Sequence, residues 1–138
     1  MGKKPNIVYI LNDHQAYYGH GMLQGGPRPM RPCFEAFAAQ GMEFTNAYCV
    51  TPMCGPARRT MLTGLYPHTH GQYHNENDPP YRHEVYLDAL AEAGYENFYY
   101  GKWHAGPGCA YDHHCTGLSQ SGYGNPYNTP EYAQYCRE

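Results

Sequence analysis

At 138 residues the chain has room for one domain around one core. Its net charge of −3, with only 15% charged residues, excludes a basic nucleic-acid face and a solvated acidic tail, and leaves small neutral or anionic substrates as partners. Tyr 16, Gly 16, Pro 12 and His 9 suit irregular loops and polar clefts better than a helical bundle.

In chain order, the first element is residues 6–11 (NIVYIL), a nearly continuous apolar run after a proline. That pattern predicts a strand buried on both faces of a parallel sheet. The run is too short and too β-branched for a signal-peptide core, and no small-residue cleavage site comes after it, so the expected location is cytoplasmic, or exported after trimming. No apolar run approaches the roughly 18 residues of a membrane span, and a soluble chain with no membrane partner is expected. A helix entered at Pro32 comes next, with Phe34, Phe37 and Ala38 on one face and Gly41 at its end, then a short strand over 43–47. A second helix begins near Pro56. The stretch VYLDALAEAGYENFYY gives a third helix, closed by Gly94, and a strand over 97–100. This alternation predicts an α/β layered fold. After Gly106 the pattern reads as loop, with at most one helical turn near Pro130 and no core element. The six cysteines (Cys33, Cys49, Cys54, Cys109, Cys115, Cys136) form no CxxC pair and are expected to be mostly free thiols, a disulfide or two being the other reading.

In open α/β sheets, ligands sit beyond the carboxyl ends of the strands, and three polar clusters fall there. Asp13 and His14 directly follow the first strand, where a carboxylate and an imidazole can both reach a divalent cation. The same pair would also serve as a helix cap beside a surface histidine. Cys54 lies near the start of the second helix, where unpaired N–H groups and the dipole favour an anion, and Arg58 and Arg59 come next in the first turn. Two arginines there oppose the dipole, which predicts an anionic ligand or an outside partner for both. A buried structural cysteine in a turn is the other reading. Lys102 and His104 lie just after the last strand, and strand alternation puts them on one side with Trp103 opposite. They would equally suit an exposed loop entry. The run Asp112-His113-His114-Cys115 spells the four-letter motif of membrane palmitoyltransferases, but the zinc domain and membrane spans of those enzymes are missing, so it reads as coincidence.

Together the clusters resemble the formylglycine-dependent sulfatases of the alkaline phosphatase superfamily. PNIVYILNDHQ is similar to that family's opening strand and metal loop. CGPARRTMLTGLYPHTHG is similar to its signature C-x-P-x-R followed by T-G-x-Y-P-x-x-H-G, and GYENFYYGKWHAG to its G-Y-x-x-x-x-x-G-K-W-H-x-G element. The likeness runs in order over residues 5–106. It implies a three-layer α/β fold with a mostly parallel central sheet, of which residues 1–138 would be the N-terminal portion: a motif-bearing part over 1–106 and a loop-rich excursion over 107–138.

The resemblance also implies roles. Cys54 would be oxidised to formylglycine by a formylglycine-generating enzyme, and one hydroxyl of its hydrate would attack the sulfur of a small-molecule or glycan sulfate ester. A divalent metal, normally calcium, would lower that hydroxyl's pKa, held by Asp13, His14 and the modified residue 54. Arg58 and Lys102 would carry charge on the sulfate, and His104 would contact the second hydroxyl, whose deprotonation expels sulfate. Two departures stand out. His14 replaces a carboxylate with a nitrogen donor, which keeps manganese and zinc open beside calcium. Ala57 occupies a position where serine is commonest. The family's later metal pair, a further histidine and a further lysine have no match here, so the chain is expected to supply only part of a site. A phosphonate or phosphate ester hydrolase of the same superfamily, and a non-catalytic metal-binding fragment, are the competing readings.

Overall fold

The computed structural model describes residues 4–13, 32–44, 46–117 and 119–120. The chain divides into two compact units, Met1–Ala47 and Tyr48–Glu138.

In the first unit, α1 (Pro32–Ala38) starts at the proline, whose fixed φ suits a first helical turn. It closes through Ala39 N–H to Glu35 O at 3.1 Å and Gly41 N–H to Ala38 O at 3.1 Å. Helix and end fall where the sequence predicts. The apolar face does not become a buried face: α1 has no buried residue, and Phe37 is 78% exposed. The strand expected over 6–11 is absent, and Val8 is 83% exposed. The described residues of 43–47 form no strand either. A strand gains its stability from a paired neighbour and a covered face. Among the described residues of this unit there is neither a ladder nor a buried side, so apolar composition alone does not make one.

The second unit holds α2 (Cys54–Thr63), α3 (Pro67–His70), α4 (Tyr86–Glu92), β1 (Asn97–Phe98), β2 (Gly101–Lys102), a 3-10 turn at Ala110–His113, β3 (Cys115–Thr116) and β4 (Ser119–Gln120). α4 ends where Gly94, at φ 80°, lets Tyr95 N–H reach back to Leu90 O at 3.0 Å. β1 pairs in parallel with β3, Asn97 opposite Cys115, and β2 in parallel with β4, Gly101 opposite Ser119. These pairs correct the expectation of plain loop after Gly106. The chain does return, because two short strands ending at Phe98 and Lys102 need edges to pair with. Little in the sequence signals this, since each returning strand is two residues long.

The core of this unit is Leu62, Val85, Leu87, Trp103, Ala105, Ala110 and Cys115, with Tyr81 and Tyr99 against it. Trp103 is fully buried, edge-on to Tyr99 at 5.4 Å and stacked on His113 at 5.4 Å. Burying a ring of this size stabilises by upwards of about 2 kcal/mol. Two polar contacts fix α4 to β1 and to the 3-10 turn: Asn97 Nδ2 donates to Leu87 O at 2.8 Å, and His113 Nδ1 lies 3.1 Å from Asp88 Oδ2. Burial, helped by nearby Asp88, pushes the Cys115 thiol up to about 11, so this cysteine behaves as a small apolar side chain. The Asp-His-His-Cys run is thus used for packing. The described cysteines, Cys33, Cys49, Cys54, Cys109 and Cys115, are free thiols as expected; Cys136 lies outside the described residues. Among the described residues, no helix is long and apolar enough to cross a membrane.

Candidate active site

The second unit builds its candidate site around the start of α2. Pro56 sits in the first turn, where its missing N–H removes no helical bond, and Gly64 at φ 70° closes the other end with its N–H on Thr60 O at 2.8 Å. The residue before the helix, Met53, gives no side-chain cap. The cap comes from elsewhere: Gly55 N–H donates to Asn75 Oδ1 at 2.9 Å. This corrects the picture of a helix start with unpaired backbone donors for an anion. Gly55 is already bonded, Pro56 has no N–H and Ala57 N–H bonds Met53 O at 3.0 Å, so most of the backbone donors of the first turn are taken. Gly55 is also sterically fixed as glycine. A Cβ there would stand 2.8 Å from Gln72 Nε2, 3.2 Å from His104 O and 3.3 Å from Asn75 Oδ1.

The two arginines separate. Arg58 Nη1 donates to Lys102 O at 2.5 Å, tying α2 to the end of β2. Arg59, 1% exposed, donates to Pro79 O at 2.6 Å and Pro80 O at 2.9 Å, and lies 4.1 Å over the Tyr81 ring. Its pKa is lowered by burial, with Tyr81 and Asp78 opposing. Tyr81 in turn donates to Ala105 O at 2.5 Å, its own pKa raised by burial. The expectation of an anionic ligand for both arginines therefore fails for Arg59. Its guanidinium is instead held inside the protein by two carbonyl dipoles and a ring face.

Lys102 ends β2 and is half-buried; Trp103 and His104 are buried. The expected alternation stops at Trp103, because His104 has φ 47°, in the left-handed region. For a non-glycine residue this conformation costs about 1–2 kcal/mol. It turns the chain toward Gly106, at φ 114°, where a Cβ would sit 2.7 Å from Arg59 Nη1. So the structure brings Arg58, the backbone of Lys102 and His104, and the turn after Cys54 together. Cys54 itself is half-buried. Asp13, exposed, belongs to the first unit, and His14 lies outside the described residues. Among the described residues, no group of three or more His, Cys, Asp or Glu side chains gathers as a metal cage.

Gln72, Asn75 and Tyr81 support the site without any sequence motif to announce them, and His70, the histidine of the T-G-x-Y-P-x-x-H-G stretch, supports it although no role for it is read from the sequence. His70, 4% exposed, places Nε2 3.0 Å from Thr60 Oγ1, and its Nδ1 accepts the Gln72 N–H at 3.2 Å. An accepting Nδ1 puts the proton on Nε2, so the ring is neutral and bridges α2 to α3. Burial lowers its pKa first, then Arg59. Because the folded pKa lies below the unfolded value of 6.5, the unfolded chain takes up the proton more readily. The stabilisation is fully present above pH 6.5 and is lost as pH falls through the folded value. Thermal melts from about pH 7.5 to about pH 5 are expected to show falling Tm, with a flatter profile in His70→Gln.

The comparison with known proteins gives the family. The family model described as Sulfatase matches residues 5–137. The chain belongs to the sulfatase family. Sulfatases similar to it include an ulvan-active sulfatase of Formosa agariphila, 41% identical over 101 residues, covering 73% of this chain and 20% of the relative. An N-acetylgalactosamine-6-O-sulfatase of Bacteroides thetaiotaomicron is 35% identical over 114 residues, covering 77% and 22%, and the N-acetylgalactosamine-6-sulfatase of Mus musculus is 34% identical over 115 residues, covering 74% and 22%. The chain spans about a fifth of the length of these curated sulfatases. No solved structure matches it. Sulfatase membership carries an alkaline phosphatase-like α/β fold, of which the described helices and short parallel pairs are a small part.

Proposed function

We propose that the protein hydrolyses sulfate monoesters, with the α2 start and the Lys102–His104 segment as two walls of the site. The observation that carries this reading is the Arg58 Nη1 bond to Lys102 O at 2.5 Å, which joins two motifs 44 residues apart. It makes one place of the signature cysteine turn and the Lys-Trp-His element, within a three-layer fold whose mostly parallel sheet this chain would begin. The names of the Formosa and Bacteroides relatives favour a sulfated glycan as substrate.

Residue 54, once oxidised by a formylglycine-generating enzyme, supplies a hydrated aldehyde: one hydroxyl forms the bond to sulfur as the alcohol leaves, and the other re-forms the carbonyl as sulfate departs. Arg58 holds the residue-54 turn and places fixed positive charge beside the sulfate. Its anchor on Lys102 O limits reorganisation as charge builds in the transition state. Lys102, at the end of β2, binds a non-bridging sulfate oxygen. His104 accepts the proton of the second hydroxyl, its left-handed backbone fixing where the ring leaves the chain. As the resemblance implies, Asp13 and His14 would hold a divalent cation, and that cation would supply charge that acidifies the attacking hydroxyl. The donor chemistry, one carboxylate oxygen and one imidazole nitrogen, suits such an ion, calcium first and manganese or zinc next, but supplies only part of the six or so ligands calcium takes.

The test is steady-state kinetics of the intact protein, produced with the modifying enzyme, on matched aryl sulfate and aryl phosphonate substrates. A higher kcat/KM for the sulfate is expected. Preference for the phosphonate would move the protein to the phosphonate hydrolases of the superfamily. Turnover of neither, with metal still bound, would leave a metal-binding fragment.

A further inference from the structure

The bond between Gly55 and Asn75 has a role that the signature motif does not assign. α2 begins one residue before Gly55 without a side-chain cap of its own, and a first-turn proline removes one of the donors at its start. Asn75, twenty residues further on, supplies the acceptor at 2.9 Å. The segment carrying it is held on two more sides. Arg59 grips Pro79 O and Pro80 O, and fully buried Gln72 directs Nε2 to Asp78 Oδ1 at 3.4 Å. The Asn75 oxygen therefore stands on a fixed support and not on a loose loop. On the other side of Gly55, His104 O closes the space to 3.2 Å from where a Cβ would be. Gly55 is thus held between the Asn75 side chain and the His104 backbone, and Cys54 is the next residue.

We infer that Asn75 is a positioning residue: it caps α2 from outside the helix and so sets where the Cβ of Cys54 stands relative to Arg58 and His104. This rests on the proposed sulfatase reading for its catalytic consequence, though not for the cap itself. With the acceptor removed, the first turn frays, Gly55 loses its bond, and the reacting group at residue 54 samples positions away from the charges meant to meet it. Substrate binding by Arg58 and Lys102 persists, because Arg58 keeps its own anchor on Lys102 O.

The experiment uses the intact protein with Asn75→Ala and Asn75→Asp. Amide hydrogen exchange is followed by mass spectrometry over residues 51–63, with residues 86–92 as internal reference, beside kinetics on an aryl sulfate. Asn75→Ala is expected to speed exchange at the α2 start about tenfold, with the reference unchanged. It is also expected to lower kcat about tenfold with KM within about twofold. Asn75→Asp, which keeps an oxygen acceptor, is expected to restore slow exchange. If Asn75→Ala does not fold, Asn75→Ser, whose hydroxyl falls short of Gly55, carries the same comparison. Unchanged exchange in the alanine or serine variant overturns the cap, and faster exchange with unchanged kcat overturns the positioning role. A wild-type protein with no sulfate turnover sinks the sulfatase reading, and the exchange data alone then uphold or overturn the cap.

Discussion

Cys54→Ala in the intact protein is expected to reduce kcat on an aryl sulfate by about 10,000-fold or more while shifting Tm by no more than about 2 °C. The two halves of that expectation have separate causes. Removing a nucleophile leaves only binding and electrostatic assistance, and a loss of that size corresponds to about 5.5 kcal/mol of transition-state stabilisation. The fold changes little because Cys54 is half-buried and outside the core cluster, and alanine suits a first helical turn. Cys54→Ser separates oxidation from simple nucleophilicity. Serine presents one hydroxyl where the hydrated aldehyde presents two, so it has no second hydroxyl to expel the bound sulfate. Peptide mass over Cys54 supplies the companion measurement: in active protein the residue should have lost a sulfur and two hydrogens and gained an oxygen. Full activity in Cys54→Ala, or an unaltered cysteine in active wild-type protein, would remove the proposed nucleophile.

Arg59→Met is expected to be among the most destabilising single changes in the second unit, by about 3 kcal/mol or more. Methionine approximates the length of the arginine stem, so the loss isolates the guanidinium. Two carbonyls, Pro79 O and Pro80 O, would lose their charged donor, and the Tyr81 ring its cation. In a domain of this size the deficit corresponds to a Tm lower by about 10 °C. Arg59→Lys is expected to recover only a fraction, because one ammonium cannot reproduce the planar fork that reaches two carbonyls. Chemical denaturation of the three proteins decides it, and a loss below about 1 kcal/mol in Arg59→Met would mean that the buried charge is compensated in some other way.

Whether a residue's task can be read from the chain depends on whether that task is local. α1, α2 and α4 are legible because Pro32, Pro56, Gly64 and Gly94 act within one turn of where they stand. The association of Arg58 with Lys102 is readable only through the resemblance, since nothing in either stretch names the other. The strand over 6–11 misleads because its apolar run carries strand propensity without a partner among the described residues. The pairings of β3 and β4 are hidden for the opposite reason: their positions are set by the edges they join, and two residues carry no periodicity. Arg59 is easily misread because adjacent arginines look alike in sequence, while successive helical positions point about 100° apart. Asn75 lies in a polar loop between glycine and proline, where an asparagine is so ordinary that its bond to Gly55 leaves no trace in the pattern.

The distance along the chain between Gly55 and its acceptor also sets a clock. A helix start capped by its own neighbour can close as soon as it is made, but this one awaits a residue synthesised 20 positions later. At ribosomal rates of about 5–20 residues per second, the turn carrying Cys54 stays uncapped for about 1–4 seconds after it is made. The anchor of Arg58 on Lys102 arrives later still, 44 positions downstream. Until both later residues are made, the turn carrying Cys54 belongs to an unfinished chain, and each residue inserted between 55 and 75 would lengthen the wait.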